Sequence, residues 1–230
     1  MLVCSIKLVK SISFLTFIIN KMTVFKELNK QEIELFKKLD TPLKIQEFLD
    51  TIKYRAEDDF CSPRQALKEK RAHCFDGSLI AYALLRYHGF RPSIIELFPY
   101  ARDDSHMLAV YKKNGYWGSV AKSNFPFLTI REPVYKSLRE MVMTYFEFFF
   151  NKFKEKTLFS YTKPIDLKKF DSLNWLTDSS HLETVAMAFR TAHRFNVITS
   201  QQITSLSPVT KKSFEVGMYG VDTTGLYNKF

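Results

Sequence analysis

Cysteine is scarce in this chain: Cys4, Cys61 and Cys74 are the only three among 230 residues. Three is an odd number, and no two of them stand at the short spacing of a zinc site. A disulfide scaffold is therefore excluded, and a reducing, cytoplasmic compartment is the simplest expectation. His181 and His193 stand apart from any Cys or acidic partner at ligand spacing, so no metal or cofactor is expected. Glycine and proline are also sparse, at 7 and 8, and there is neither an internal repeat nor a low-complexity segment. No apolar run is long enough to span a bilayer. The nearest approach, residues 12–19, is interrupted by Ser13 and Thr16. Residues 1–21 read as a dispensable N-terminal extension with Met22 as an alternative start. A poor export signal or peripheral anchor is the other reading, since no small-x-small cleavage site follows.

Aromatic and charged residues are abundant. There are 22 Phe and 11 Tyr, 46% of residues are hydrophobic and 25% are charged. This is the profile of a globular chain whose core is dominated by aromatic burial. The formal net charge is +10. Its Lys and Arg residues are scattered in pairs, such as Lys37-Lys38, Lys168-Lys169 and Lys211-Lys212, whereas nucleic-acid binding gathers charge into a stripe or motif. A solvated Lys-rich surface is the preferred reading, and a surface for nucleic acid or anionic membrane is the third choice of function.

Helical spacing places two helices over residues 23–53, separated at Asp40-Thr41-Pro42. Ser62-Pro63 opens a short helix to about Lys70. Leu79, Ile80, Ala83, Leu84 and Tyr87 form the apolar face of a helix headed by Cys74 and ended by Gly89. Strands follow over residues 93–98 and 106–112. Asn114-Gly115 then makes a two-residue hairpin turn into a return strand over residues 116–122. A long helix is predicted from Glu132-Pro133 to about Asn151, an irregular stretch around Pro164, and a last helix over residues 182–195. The order is α+β, with strands in one central block. Residues 22–205 form the expected single domain, and residues 206–230 a loop-like tail without a role in the chemistry.

Cys74 is the candidate nucleophile. At a helix start, unpaired N–H groups and the helix dipole favour a thiolate. Its base must come from elsewhere in the chain, and His106, opening a hairpin strand, is the candidate. His73 ranks second, because adjacent side chains at a helix start diverge. Cys61 reads as a structural thiol, with a Cys61–Cys74 disulfide switch as the remote alternative.

The segment Ala72-His73-Cys74-Phe75-Asp76-Gly77-Ser78, running through Arg86-Tyr87-His88-Gly89, resembles the transglutaminase-like superfamily. So do His106-Met107-Leu108-Ala109-Val110-Tyr111 and Gly115-Tyr116-Trp117-Gly118. The resemblance covers about residues 55–125. It implies a papain-like core in which a Cys-headed helix packs on a small antiparallel sheet, with further N- and C-terminal helices. It also implies thiol attack on an amide carbonyl of a peptide or protein substrate, with His carrying the proton. The stretch from Arg131 through Tyr145-Phe146 is similar to a bacterial subgroup of unsettled activity.

One position departs from that pattern. The family places an Asp on the return strand, and Trp117-Gly118-Ser119-Val120-Ala121-Lys122-Ser123-Asn124 contains no acid. Counting outward from the turn sets His106 opposite Ser123 and puts Ser119, Ala121 and Ser123 on its face. Asn124 is the expected third member, as in Cys-His-Asn sites; Ser123, Asp103 and Asp104 could also fill that place. The function expected is a Cys-His acyltransferase or amide hydrolase. A non-catalytic binding module of the same fold is the alternative.

Overall fold

A computed structural model describes residues 25–57 and 59–227. The reading of residues 1–21, and Cys4 with it, lies outside them. The chain divides into two compact units, residues 1–38 and 39–230.

The described part of the first unit is one helix, α1 (Lys30–Lys38). Asn29 and Glu32 cap it reciprocally: Glu32 N donates to Asn29 Oδ1 at 2.9 Å, and Asn29 N donates to Glu32 Oε2 at 2.8 Å. The Phe25 and Phe36 rings meet edge-on at 5.9 Å.

The second unit is α+β. Its helices are α2 (Pro42–Thr51), α3 (Pro63–Glu69), α4 (Cys74–Tyr87), α5 (Leu138–Met143), α6 (Leu182–Arg190), α7 (Ser200–Ile203) and α8 (Lys211–Gly217). Thr41 and Ser62 cap α2 and α3, each followed by proline in the first turn. The strands β1 (Lys53–Tyr54) and β2 (Arg71–Ala72) form a short parallel pair. The remaining strands are β3 (Ser93–Pro99), β4 (His106–Lys113), β5 (Tyr116–Val120), β6 (Arg131–Tyr135), β7 (Leu158–Thr162) and β8 (Arg194–Asn196). They make one antiparallel sheet in the order β6-β5-β4-β3-β7-β8. Among the described residues no helix is long and apolar enough to cross a membrane.

Asn114 and Gly115 adopt φ of 53° and 87°, the two positive values a tight hairpin requires. Lys113 then pairs with Tyr116, and Val110 with Ser119. This register sorts the sheet into two faces. Ile95, Leu97, Leu108, Val110 and Ala121 join α5, Tyr145 and Phe149 in one core. Met107, Ala109 and Tyr111 point the other way, toward α4, which packs on β4. Residues 106–111 are all buried, because both faces of β4 are covered.

Four stretches differ from the sequence reading. Residues 131–135 form a strand, where a helix was expected. The proline that suggested a helix start, Pro133, sits on the sheet edge, where a missing N–H is tolerated. The helix begins later, at the reciprocal cap between Ser137 and Glu140, and ends at Met143, short of the expected Asn151, with only a 3-10 turn at Phe146–Phe148 beyond it. Residues 158–162 pair with β3, although Pro164 suggested irregular chain. The last predicted helix stops at Arg190, and residues 194–196 pair with β7. The tail carries α8 and a 3-10 turn at Thr223–Gly225, where only loop was expected.

The first turn of α4 lies against the chain just beyond β5. A Cβ added at Gly77 would sit 2.1 Å from the Lys122 Cβ. Lys122 cannot retreat, because it is buried and its ammonium donates to the Leu49 and Ile52 carbonyls at the end of α2. Gly77→Ala gains about 1 kcal/mol of helix propensity but meets an unyielding neighbour, and overpacking costs about 1–3 kcal/mol or more. The clash should prevail, and thermal unfolding of the variant should show a Tm several degrees lower.

Candidate functional site

The site is built around the start of α4. His73 is its cap: the His73 Nδ1 accepts from Phe75 N at 3.1 Å and from Asp76 N at 3.4 Å. His73 therefore serves the helix backbone, and burial holds its pKa below the usual histidine value. Asp76, fully buried, returns the bond by accepting from His73 N at 3.2 Å. It also accepts from Cys61 N at 2.9 Å, and from Arg55 Nε at 3.2 Å and Nη2 at 2.9 Å. Cys61 is free and buried, and burial pushes its thiol up to about 11.

Cys74, also a free thiol, is the first residue of this helix and lies against the loop that enters β4. Its Sγ donates toward the Ser105 carbonyl oxygen at 3.9 Å. The thiol keeps some exposed surface, but protein surrounds it on most sides. Burial pushes its pKa up to about 12, against the pull of the Met107 N–H; the negative charges of Glu96, Asp76 and Asp104 push the same way as burial. This reverses the expectation of a stabilised thiolate. Burial is the main reason, and the cap adds to it, since His73 has already taken first-turn N–H groups and Asp76 brings a negative charge to the same helix end.

His106 is 6% exposed, and its Nε2 is 2.7 Å from the Leu128 carbonyl oxygen. A carbonyl only accepts, so Nε2 carries the hydrogen and Nδ1 keeps the lone pair. Burial holds His106 down to about 4, with the Leu128 carbonyl pulling upward and Arg131 adding to the depression. The imidazole is thus neutral, with its tautomer set by a backbone atom.

Asn124 was the expected partner of that imidazole, and its amide is engaged elsewhere. Its Nδ2 donates to Asp222 O and its Oδ1 accepts from Asp222 N, both at 2.9 Å. The pair fastens the tail beside the site. Ser123 and Asp103 are likewise bonded away from His106: Ser123 Oγ accepts from Phe125 N at 2.9 Å, and Asp103 accepts from Thr157 Oγ1 at 2.5 Å.

Cys74, His106 and Asn124 line one small cavity of about 40 Å3, together with Leu128, Leu226 and Tyr227. It has room for one or two waters. Cys74 also lines a second cavity of about 350 Å3, which opens on the other face of β4 and is bordered by Phe60, Phe75, Glu96, Met107 and Phe189. Gly225 borders both. Glu96 and the tail residues escaped the sequence reading. Glu96 had a signal, a lone charge inside the apolar run Ile94-Ile95-Glu96-Leu97-Phe98, whereas the Leu128 carbonyl, a main-chain atom, had none.

Among the described residues no group of three or more His, Cys, Asp or Glu side chains could hold a metal ion. The chemistry open to the arrangement is that of a protonated thiol and a neutral imidazole lining one small pocket, each hydrogen-bonded to a backbone carbonyl rather than to the other. A thiol held near 12 exposes roughly tenfold more thiolate for each pH unit between 7 and 10, while an ordinary thiol levels off above about 8.5. Alkylation of Cys74 by iodoacetamide, followed by peptide mass, should therefore be slow at pH 7 and climb without a plateau to pH 10.

Compared with known proteins, the chain matches no family model and has no match among curated proteins.

Proposed function

We propose that the protein is a Cys-His acyltransferase or amide-bond hydrolase of the transglutaminase-like type, built on a papain-like core. The observation that carries this reading is the His106 hydrogen bond. With Nε2–H committed to Leu128, the basic Nδ1 belongs to a ring that shares a cavity with the Cys74 thiol. A neutral imidazole beside a protonated thiol is the resting state of a general base and its nucleophile. In the proposed reaction the sulfur attacks the acyl carbon of a peptide or protein amide. His106 accepts the thiol proton and delivers it to the leaving amine, and a thioester remains for water or a second amine. No acceptor takes the Cys74 N–H among the described residues, so it is the backbone donor available for the oxyanion.

A non-catalytic binding module is the second reading. It is favoured by the raised Cys74 thiol and by an uncharged carbonyl standing where a carboxylate would stabilise imidazolium.

Acetyl transfer from p-nitrophenyl acetate separates the two. The catalytic reading expects an acetyl thioester at Cys74, detected by mass, and none in Cys74→Ala. In His106→Ala the transfer should fall by about 10²–10⁴-fold. Because the base must be neutral, the rate should hold through neutral pH and be lost as pH falls through about 4. An unmodified Cys74, or a His106→Ala variant acetylated at the parent rate, leaves the binding module standing.

A further inference from the structure

The register of β3 on β4 divides the surroundings of Cys74. Leu97 pairs with His106 on one face, and Glu96 pairs with Met107 on the other. The base therefore stands on one side of the sheet and a carboxylate on the opposite side. Cys74, at the end of the strand, borders the cavity on each side.

Glu96 is 9% exposed. Its Oε1 accepts from Ser105 Oγ at 2.6 Å, and its side chain has no cationic partner at ion-pair distance among the described residues. Besides Glu96, the wall of this cavity carries Arg55, Arg190, Glu57 and Asp104. Arg55 is held by Asp76 and Asp59, Arg190 by Glu183, and Glu57 by Arg71. Burial drives the Glu96 carboxyl above its ordinary range, against the Ser105 hydrogen bond and the more distant Arg194 and Arg190. A cation placed against it would oppose that shift, so its binding offsets the free energy that burial costs the carboxylate. Ser105 joins this carboxylate to the site, since its hydroxyl bonds Glu96 while its carbonyl oxygen touches the Cys74 sulfur. The remaining wall is aromatic and aliphatic, with Phe60, Phe75, Met107 and Phe189. A volume of about 350 Å3 suits a side-chain-sized ligand.

We infer that this second cavity is the specificity pocket of the Cys74 site, and that Glu96 receives a primary ammonium group of the substrate there. The aromatic walls would enclose an alkyl stem and exclude water from the ion pair. The role as specificity pocket rests on the acyl-transfer reading. The preference for ammonium near Cys74 does not.

Three thiosulfonates with one reacting group and different charge test it: 2-aminoethyl, methyl and 2-sulfonatoethyl methanethiosulfonate, applied to the full chain at pH 8. Cys74 modification is followed by peptide mass, and each rate is divided by that of the same reagent with a free thiol. The aminoethyl reagent should then lead the methyl reagent by about tenfold, and the sulfonate should trail both. Glu96→Gln keeps an acceptor for Ser105 and should bring the aminoethyl-to-methyl ratio close to one, while the methyl rate itself rises because one of the charges that hold Cys74 protonated is gone. Arg190→Ala, which removes a cation from the same wall, should raise the ratio. A parent ratio of one, or a ratio that survives Glu96→Gln, overturns the inference. Failure of the acyl-transfer reading shows itself separately, as an unacetylated Cys74 in a protein that still prefers the aminoethyl reagent.

Discussion

The buried carboxylate of Asp76 is the constraint from which the rest of the site follows. It binds the Arg55 guanidinium, the Cys61 N–H and the His73 N–H at once, and so ties the segment before α3, the entry to α4 and the end of β1 to one point. An ion pair removed from water brings little net stability by itself, but loss of one partner strands the other at a cost of about 3–5 kcal/mol. Its value here is positional. With the start of α4 held in place, the first side chain of the helix, Cys74, can only lie against Ser105 at the mouth of β4. The same carboxylate also carries an electrostatic penalty, because it adds a negative charge beside the thiol and helps to keep it protonated.

A strand end offers an arrangement that a strand middle does not. Along β4 alternate side chains are committed to opposite cores, Leu108 and Val110 to one, Ala109 and Tyr111 to the other. Where the strand begins, a group placed at its tip is in reach of both faces. Cys74 occupies that position, with an imidazole on one side and a carboxylate on the other. The proposed proton acceptor and the proposed recognition group can therefore be built on successive pairs of the same ladder, Leu97–His106 and Glu96–Met107. Each can have its own solvent environment, narrow around His106 and wide beside Glu96.

Much of the frame was legible in the sequence, because local rules carried it. Asn114-Gly115 set the hairpin, and with it the face on which His106 lies. Gly89, with φ of 86°, ended α4 where its apolar stripe stopped. Periodicity failed where two elements shared one apolar stripe: Tyr135 closes β6 while Leu138 opens α5, and their spacing reads as a single helix. Strands β7 and β8 were hidden because their pairing partners are distant in sequence. In the site, the positions of Cys74 and His106 could be read, but their protonation could not. A helix start shows its free N–H groups in the sequence, but not that the His73 ring and the Asp76 carboxylate occupy that end. The partner of His106 was sought among side chains, and a main-chain oxygen filled the place.

The paired bonds between Asn124 and Asp222 join residues 98 positions apart in sequence. They bring Gly225, Leu226 and Tyr227 into the wall of the His106 cavity. During synthesis, the thiol and the imidazole emerge from the ribosome well before this wall. A nascent or shortened chain that ends before Asp222 would present both groups without their enclosure. That part of the pocket wall is supplied by residues translated after both groups.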